Sequence, residues 1–141
     1  GLQEQVRAVP LEWLAQLVVL VKERAKTLVE MVEWVRPYFG ESVVLEEEAA
    51  KKFLTPAIAP VLDKLLARFE ALPASSKQVW EESVKKFVEE EGIKMGQIAQ
   101  PVRVALTGRT ASPGLFEVME VLGRDRTLLR LRQGLERAAA S

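Results

Sequence analysis

Two runs of carboxylates, Glu46-Glu47-Glu48 and Glu89-Glu90-Glu91, are the groups in this chain whose type suits acid–base catalysis or metal binding. Such work needs carboxylates that face one another, and consecutive residues on a helix splay around it, so both runs are expected to be solvated surface. Histidine is absent, which removes Ser-His-Asp triads, imidazole proton shuttles and the commonest zinc and iron ligand sets. Cysteine is absent too, so disulfides, thiolate metal sites and cysteine nucleophiles are excluded, and the composition fits a reducing compartment such as the cytoplasm. No phosphate-cradling glycine loop occurs. The chemistry left to this chain is binding.

With 141 residues and 48% hydrophobic content, the chain can bury one good core or two small ones packed together. Twenty Lys and Arg balance twenty Asp and Glu, so any attraction to a polyanion must come from a local basic face. The most apolar stretch, Leu14 to Val21, is interrupted by Gln16 and followed by Lys22-Glu23-Arg24. It is too short and too polar to span a bilayer, and neither a membrane nor a signal segment is expected.

The elements that must position any site read as helices. From Leu11, the apolar residues Leu14, Val18, Val21, Ala25, Leu28, Val32 and Val35 recur in steps of three and four, which predicts one long amphipathic helix ending near Arg36, before Pro37 and Gly40. A short acidic helix is expected from Glu46 to about Phe53. Thr55-Pro56 then reads as an N-cap with a first-turn proline, ahead of the apolar face Ile58, Leu62, Leu65, Leu66 and Phe69. Leu72-Pro73 closes that helix, and Ser75 with Gln78 reads as a capping box for the next, with a buried stripe through Val79 or Trp80, Ser83 or Val84, and Phe87, and a stop at Gly92. Met95 to Thr107 is predicted helical despite Pro101, with Gly108 as its stop. Ser112-Pro113 repeats the cap-and-proline start, and Asp125 is expected to cap a last helix carrying Leu128, Leu131 and Leu135, with a fraying Ala138-Ala139-Ala140 tail. No convincing period-two alternation occurs. The expected fold is all-α, with two packed helical subdomains at 1–73 and 74–141.

Two segments carry more than helix propensity. Lys94-Met95-Gly96-Gln97 leads into Gln100-Pro101-Val102-Arg103-Val104-Ala105-Leu106-Thr107-Gly108, followed by Ser112-Pro113-Gly114-Leu115-Phe116, Leu122-Gly123 and Arg130-Leu131. In order and spacing this resembles the C-terminal signature of bacterial glutamyl-tRNA synthetases. Lys22-Glu23-Arg24-Ala25-Lys26-Thr27-Leu28, with Glu30-Met31 and Tyr38-Phe39, is similar to a second helix of that family. The family's catalytic domain carries HIGH and KMSKS motifs. Neither is present, and Lys94-Met95-Gly96 is a coincidental match to the second, so the chain is expected to be the tRNA-reading part of a longer enzyme.

The resemblance implies an all-α pair of subdomains gripping the anticodon stem-loop of glutamate tRNA as a monomer, with no metal or cofactor of its own. The parent enzyme would use ATP with Mg to attach glutamate. It also implies that Arg103, Ser112 and Pro113 touch anticodon nucleotides, with Leu115 and Phe116 supporting them, and that Arg24 aligns with an arginine that separates glutamate from glutamine tRNAs. The physical reading agrees: unstacked anticodon bases can be read by fixed donors and supported by planar or apolar side chains. A helix start at Ser112-Pro113-Gly114 would add a hydroxyl, free N–H groups and partial positive charge. The plainer alternatives are that Ser112 is an ordinary helix start, that Phe116 is core, that Arg24 pairs with a carboxylate on an exposed helix face, and that Trp13, Trp34 and Trp80 pack rather than stack on bases. Arg124, Arg126, Arg130, Arg132 and Arg137 are expected to form a charge-compensated surface. Without the two signatures, the chain reads as a helical adaptor domain that binds a protein partner through an apolar groove.

Overall fold

The computed structural model describes residues 2–72 and 76–141, and among them every regular element is helical, as expected. In chain order the helices are α1 Leu2–Arg7, α2 Leu11–Val21, α3 Leu28–Val35, α4 Glu47–Phe53, α5 Ala59–Glu70, α6 Lys77–Glu91, α7 Met95–Thr107, α8 Leu115–Leu122 and α9 Arg124–Ala140, with a 3-10 turn at Arg36–Tyr38 after α3.

The long first helix is in fact two. The apolar periodicity continues through residues 22–27, but Thr27 and Glu30 form a capping box that restarts the chain. Thr27 Oγ1 accepts the Glu30 N–H at 3.1 Å, while the Glu30 carboxylate accepts the N–H groups of Thr27 at 3.2 Å and Lys26 at 2.5 Å. Arg24 therefore lies in a turn between helices. Other starts differ as well. α5 begins after Ile58 with Pro60 in its first turn, because Thr55-Pro56 is spent on a separate turn closed by Ile58 N–H to Thr55 O at 3.1 Å. The cap of α6 is Ser76, whose hydroxyl accepts the Val79 N–H at 3.3 Å; Ser75, half of the expected cap, and the boundary expected at 73–74 lie outside the described residues. Asp125 caps nothing, since Gly123 precedes α9 without any side-chain cap. Nor does the tail fray: Ala138 is buried, and the Ser141 hydroxyl donates to Leu54 O at 3.2 Å.

One continuous core runs through both halves of the chain. α9 packs on α5 and α7, and α6 on α8, burying Leu62, Leu65, Leu66 and Phe69 with Trp80, Phe87, Met119 and Leu131. Phe69 and Trp80 meet edge to face at 4.7 Å, a geometry that adds about 1 kcal/mol to the burial of the two rings. At the α7–α9 crossing, Gly134 lets the helices touch, because a Cβ there would lie 2.6 Å from the Ala105 Cβ. Pro101 is accommodated inside α7 and is buried.

The arginines of α9 divide by partner. Arg132 and Arg137 pair with Glu70 at 3.2 Å and Glu47 at 3.1 Å, the expected compensated surface. The three nearer the helix start instead donate to backbone carbonyls across the fold. Arg124 reaches Glu70 O at 2.9 Å and Leu72 O at 3.2 Å, and Arg126 reaches Tyr38 O at 2.6 Å. Arg130, fully buried, donates to the carbonyls of Pro37, Phe39, Gly40, Glu41 and Leu106. The segment 37–41 and the end of α7 are thus fastened to one guanidinium.

Candidate nucleic-acid interface

α7 stops where Gly108 takes a left-handed φ of +83°, and a Cβ there would collide with the Val44 carbonyl oxygen, so glycine is required on both counts. The loop that follows is pinned. Glu46 N–H donates to Gly108 O at 2.8 Å, and the Thr107 hydroxyl lies 2.9 Å from the Arg103 carbonyl and 3.0 Å from that of Arg109. From α7, Arg103 Nε donates to Ser112 Oγ at 2.7 Å, and that hydroxyl donates onward to Pro113 O at 2.8 Å. Ser112 is therefore not the expected helix cap: α8 begins at Leu115 after Gly114, with no side-chain cap. Pro113 and Leu115 are buried, and Phe116 is half-buried against the core. The structure brings Arg103, Ser112 and Pro113 into one chain of hydrogen bonds, with the Arg103 terminal nitrogens left over as a donor fork.

Arg24 reaches the same region from its turn. Its guanidinium lies 5.7 Å from the centre of the Trp34 ring, and that of Arg109, from the loop after α7, lies 5.0 Å from it. Arg109 also donates to Glu33 O, in the last turn of α3, at 2.9 Å. Among the described residues, Arg24, Arg103 and Arg109 have no carboxylate partner, whereas Arg36, Arg68, Arg132 and Arg137 each have one. A chain of zero net charge has gathered three uncompensated guanidiniums at one place. Burial and the Arg24 charge both hold the Arg103 pKa below the usual arginine range. Beside them an open cleft of about 460 Å³ is lined by Arg109, Thr107, Gly108, Glu33, Arg36 and Val44.

Tyr38 lies beneath this cluster, almost wholly buried, and its hydroxyl has no hydrogen-bond partner among the described residues. Burial pushes its pKa from 10.0 up to about 12, opposed by the charges of Arg109, Arg24, Arg130 and Arg103. The folded chain holds this proton more tightly than the unfolded chain. The associated stability, about 3 kcal/mol, is full below pH 10 and is lost as pH rises through about 12. Tyr38 is the only tyrosine, so tyrosinate absorbance reports on it alone. We expect it to ionise near pH 12 in the folded chain and near 10 in denaturant; ionisation near 10 in both would contradict the burial.

Sequence reasoning missed Arg109 and treated Trp34 as plain packing. The one available signal was that Arg109 follows the stop glycine in the loop that carries Ser112. No periodicity links that loop to Trp34. Among the described residues no three carboxylates come together to hold a metal ion, and no helix is long and apolar enough to cross a membrane.

An all-helical scaffold that gathers a donor fork, a hydroxyl and two more unpaired guanidiniums has the chemistry to hold a polar, anionic ligand. The chain belongs to the anticodon binding domain family, which matches residues 2–135. It is 45% identical over 124 residues to the glutamate–tRNA ligase of Syntrophobacter fumaroxidans, covering 88% of this chain and 26% of that protein. To the glutamate–tRNA ligase of Geotalea uraniireducens it is 43% identical over 122 residues, covering 86% and 26%. Its fold is similar to that of a glutamate–tRNA ligase from Elizabethkingia meningosepticum solved with its amino acid, with a TM-score of 0.81 and 26% identity, covering 91% of this chain and 25% of that one. The chain thus spans about a quarter of the length of the relatives it matches.

Proposed function

We propose that this chain reads the anticodon arm of glutamate tRNA as part of a glutamate–tRNA ligase. The observation that carries this reading is the convergence of Arg24, Arg103 and Arg109, all without carboxylate partners, beside Ser112. The Arg103 fork and the Ser112 hydroxyl receive one unstacked anticodon nucleotide, with Pro113 forming the wall beside them. Leu115 and Phe116 hold that wall from the core side. Residues 1–73 and 74–141 act as two helical subdomains on the arm, and the protein works as a monomer in the cytoplasm. Attaching glutamate with ATP and Mg belongs to the longer enzyme. The residues described here do not fit that chemistry, since they offer no phosphate loop and no carboxylate cluster.

Binding of an anticodon stem-loop RNA to the chain, followed by mobility shift over a salt series, tests the reading. A module that neutralises phosphates binds more weakly as salt rises. Absence of salt-dependent binding would instead favour a protein-facing adaptor, for which the exposed Leu11, Leu28 and Val29 of α2 and α3 offer an apolar surface.

Arg24 is assigned the base that separates glutamate from glutamine tRNAs. Glutamate anticodons end in C, whose pairing edge offers two adjacent acceptors to a guanidinium fork; glutamine anticodons end in G, which turns donors toward it. A carboxylate partner, the plainer alternative for Arg24, is not among its contacts, and beyond the Trp34 ring its guanidinium has no partner among the described residues. In a full-length ligase carrying this chain, Arg24→Gln should narrow the ratio of kcat/KM between glutamate and glutamine tRNAs by about tenfold, or about 1.4 kcal/mol. Aminoacylation of both tRNAs decides it, and an unchanged ratio removes Arg24 from the reading site.

A further inference from the structure

The reading just given assigns Arg109 no contact of its own, yet this residue is held by a ring, a carbonyl and a hydroxyl. Its guanidinium lies 5.0 Å from the centre of the Trp34 ring, one Nη donates to Glu33 O at 2.9 Å, and its backbone N–H is held by the Thr107 hydroxyl at 3.4 Å. The remaining donors of the fork have no partner among the described residues. Arg24 meets the same indole at 5.7 Å, so two like charges share one ring with no carboxylate between them. A bound anion near this ring is attracted by both charges. The Glu33 carboxylate does not supply it, being 4.0 Å from Arg36 instead.

We propose that Arg109, braced on Trp34, binds a backbone phosphate of the RNA next to the nucleotide received by Arg103 and Ser112. The proposal rests on the anticodon reading above and adds a contact to it. A phosphate fits better than a base for two reasons. Two guanidiniums already lie over the Trp34 ring, 5.0 and 5.7 Å from its centre, and compete with a base for stacking room. A rigid fork with unused donors also matches phosphate oxygens. The phosphate sits on the Trp34 side, where Arg24 adds positive charge, and not in the neighbouring cleft, which Glu33 and Glu46 also line. Arg109 is thus a positioning contact that fixes register, and it carries no base information.

The test is fluorescence anisotropy of a labelled anticodon stem-loop RNA with the 141-residue chain over a potassium chloride series, using the glutamate anticodon and loops with each anticodon base replaced. Arg109→Gln should weaken binding about tenfold at ~0.1 M salt, by the same factor for every loop, and lower the salt slope by about 0.7 to 1. Arg109→Lys keeps the charge and should keep the slope while losing part of the affinity. Circular dichroism melting should show both variants folded, as befits a half-exposed side chain. If the wild-type chain binds no RNA, the anticodon reading itself fails and this contact with it. If the wild type binds and Arg109→Gln matches it in affinity and slope, the phosphate contact is wrong while the anticodon reading stands. A change in preference among loops would make Arg109 a base reader and overturn the assignment. Loss of slope in Arg109→Lys would overturn it too.

Discussion

Replacing Arg130 with methionine is expected to remove about 2 to 4 kcal/mol from the stability of the fold, the cost of leaving buried carbonyls without their donor. The side chain is fully buried and has no carboxylate. Its charge is balanced by carbonyl dipoles: Leu106 O at 2.6 Å, near the end of α7, and Pro37 O at 2.5 Å, Gly40 O at 2.9 Å and Glu41 O at 3.1 Å, beyond α3. Carbonyls at helix ends present the negative pole of the helix and lack partners of their own. Burial, helped by the Arg126 charge, brings the Arg130 pKa down to about 10, so it remains a cation at neutral pH. Methionine fills similar space but leaves the buried Leu106 and Phe39 carbonyls without this donor, each at about 1 to 3 kcal/mol, while the carbonyls of the exposed Gly40 and Glu41 can turn to water. Lysine restores the charge but not the fork, and should recover only part of the loss. Urea unfolding monitored by tryptophan fluorescence measures this. A methionine variant with the wild-type midpoint would mean that the clamp contributes nothing.

Changing Arg103 to alanine should weaken binding of the anticodon stem-loop by about 1 to 3 kcal/mol, the usual size for a specific base-edge contact. The fold should survive. The bond from Arg103 Nε to Ser112 Oγ is a single one at 2.7 Å on a half-buried side chain, and its loss costs about 1 kcal/mol because the Ser112 hydroxyl still donates to Pro113 O. Arg137→Ala is the control, since Arg137 is paired with Glu47 at 3.1 Å and should matter little to RNA. An Arg103 variant that binds as tightly as wild type, or that melts as early as the Arg130 variant, would make Arg103 a structural residue.

How much was legible in the sequence varies residue by residue. Gly92 and Gly108 were readable as helix stops, because only glycine adopts their left-handed backbone at no steric cost, and both are found there with φ of +66° and +83°. The apolar stripe Leu62, Leu65, Leu66 and Phe69 was readable from its spacing and is buried as expected. The break at Thr27 was legible in principle from Thr27 and Glu30, but continuous apolar periodicity outweighed it. Ser112 looked like a cap because Ser-Pro often is one; its hydroxyl was instead taken by Arg103, from the neighbouring helix. The resemblance singles out Arg24, Arg103 and Ser112 from the sequence. It did not reach Arg109, whose loop position has no periodic signature.

The sequence by itself determined the helical class, the glycine stops and the apolar face of α5, because these follow from local sterics and from period, whereas Val18, Leu28 and Val32 of the stripe expected in the first helix are exposed. It also excluded histidine and cysteine chemistry outright. Tertiary structure alone decided the pairing of charges. Twenty basic and twenty acidic residues give a sum of zero whichever of them meet. Only the packing of α9 against α5 and α7 shows that Arg130 is spent on carbonyls and Arg137 on Glu47, leaving Arg24, Arg103 and Arg109 unpaired around Trp34 and Tyr38. Ion pairing and desolvation depend on distances between residues far apart in the chain, and those distances exist only once the helices have packed.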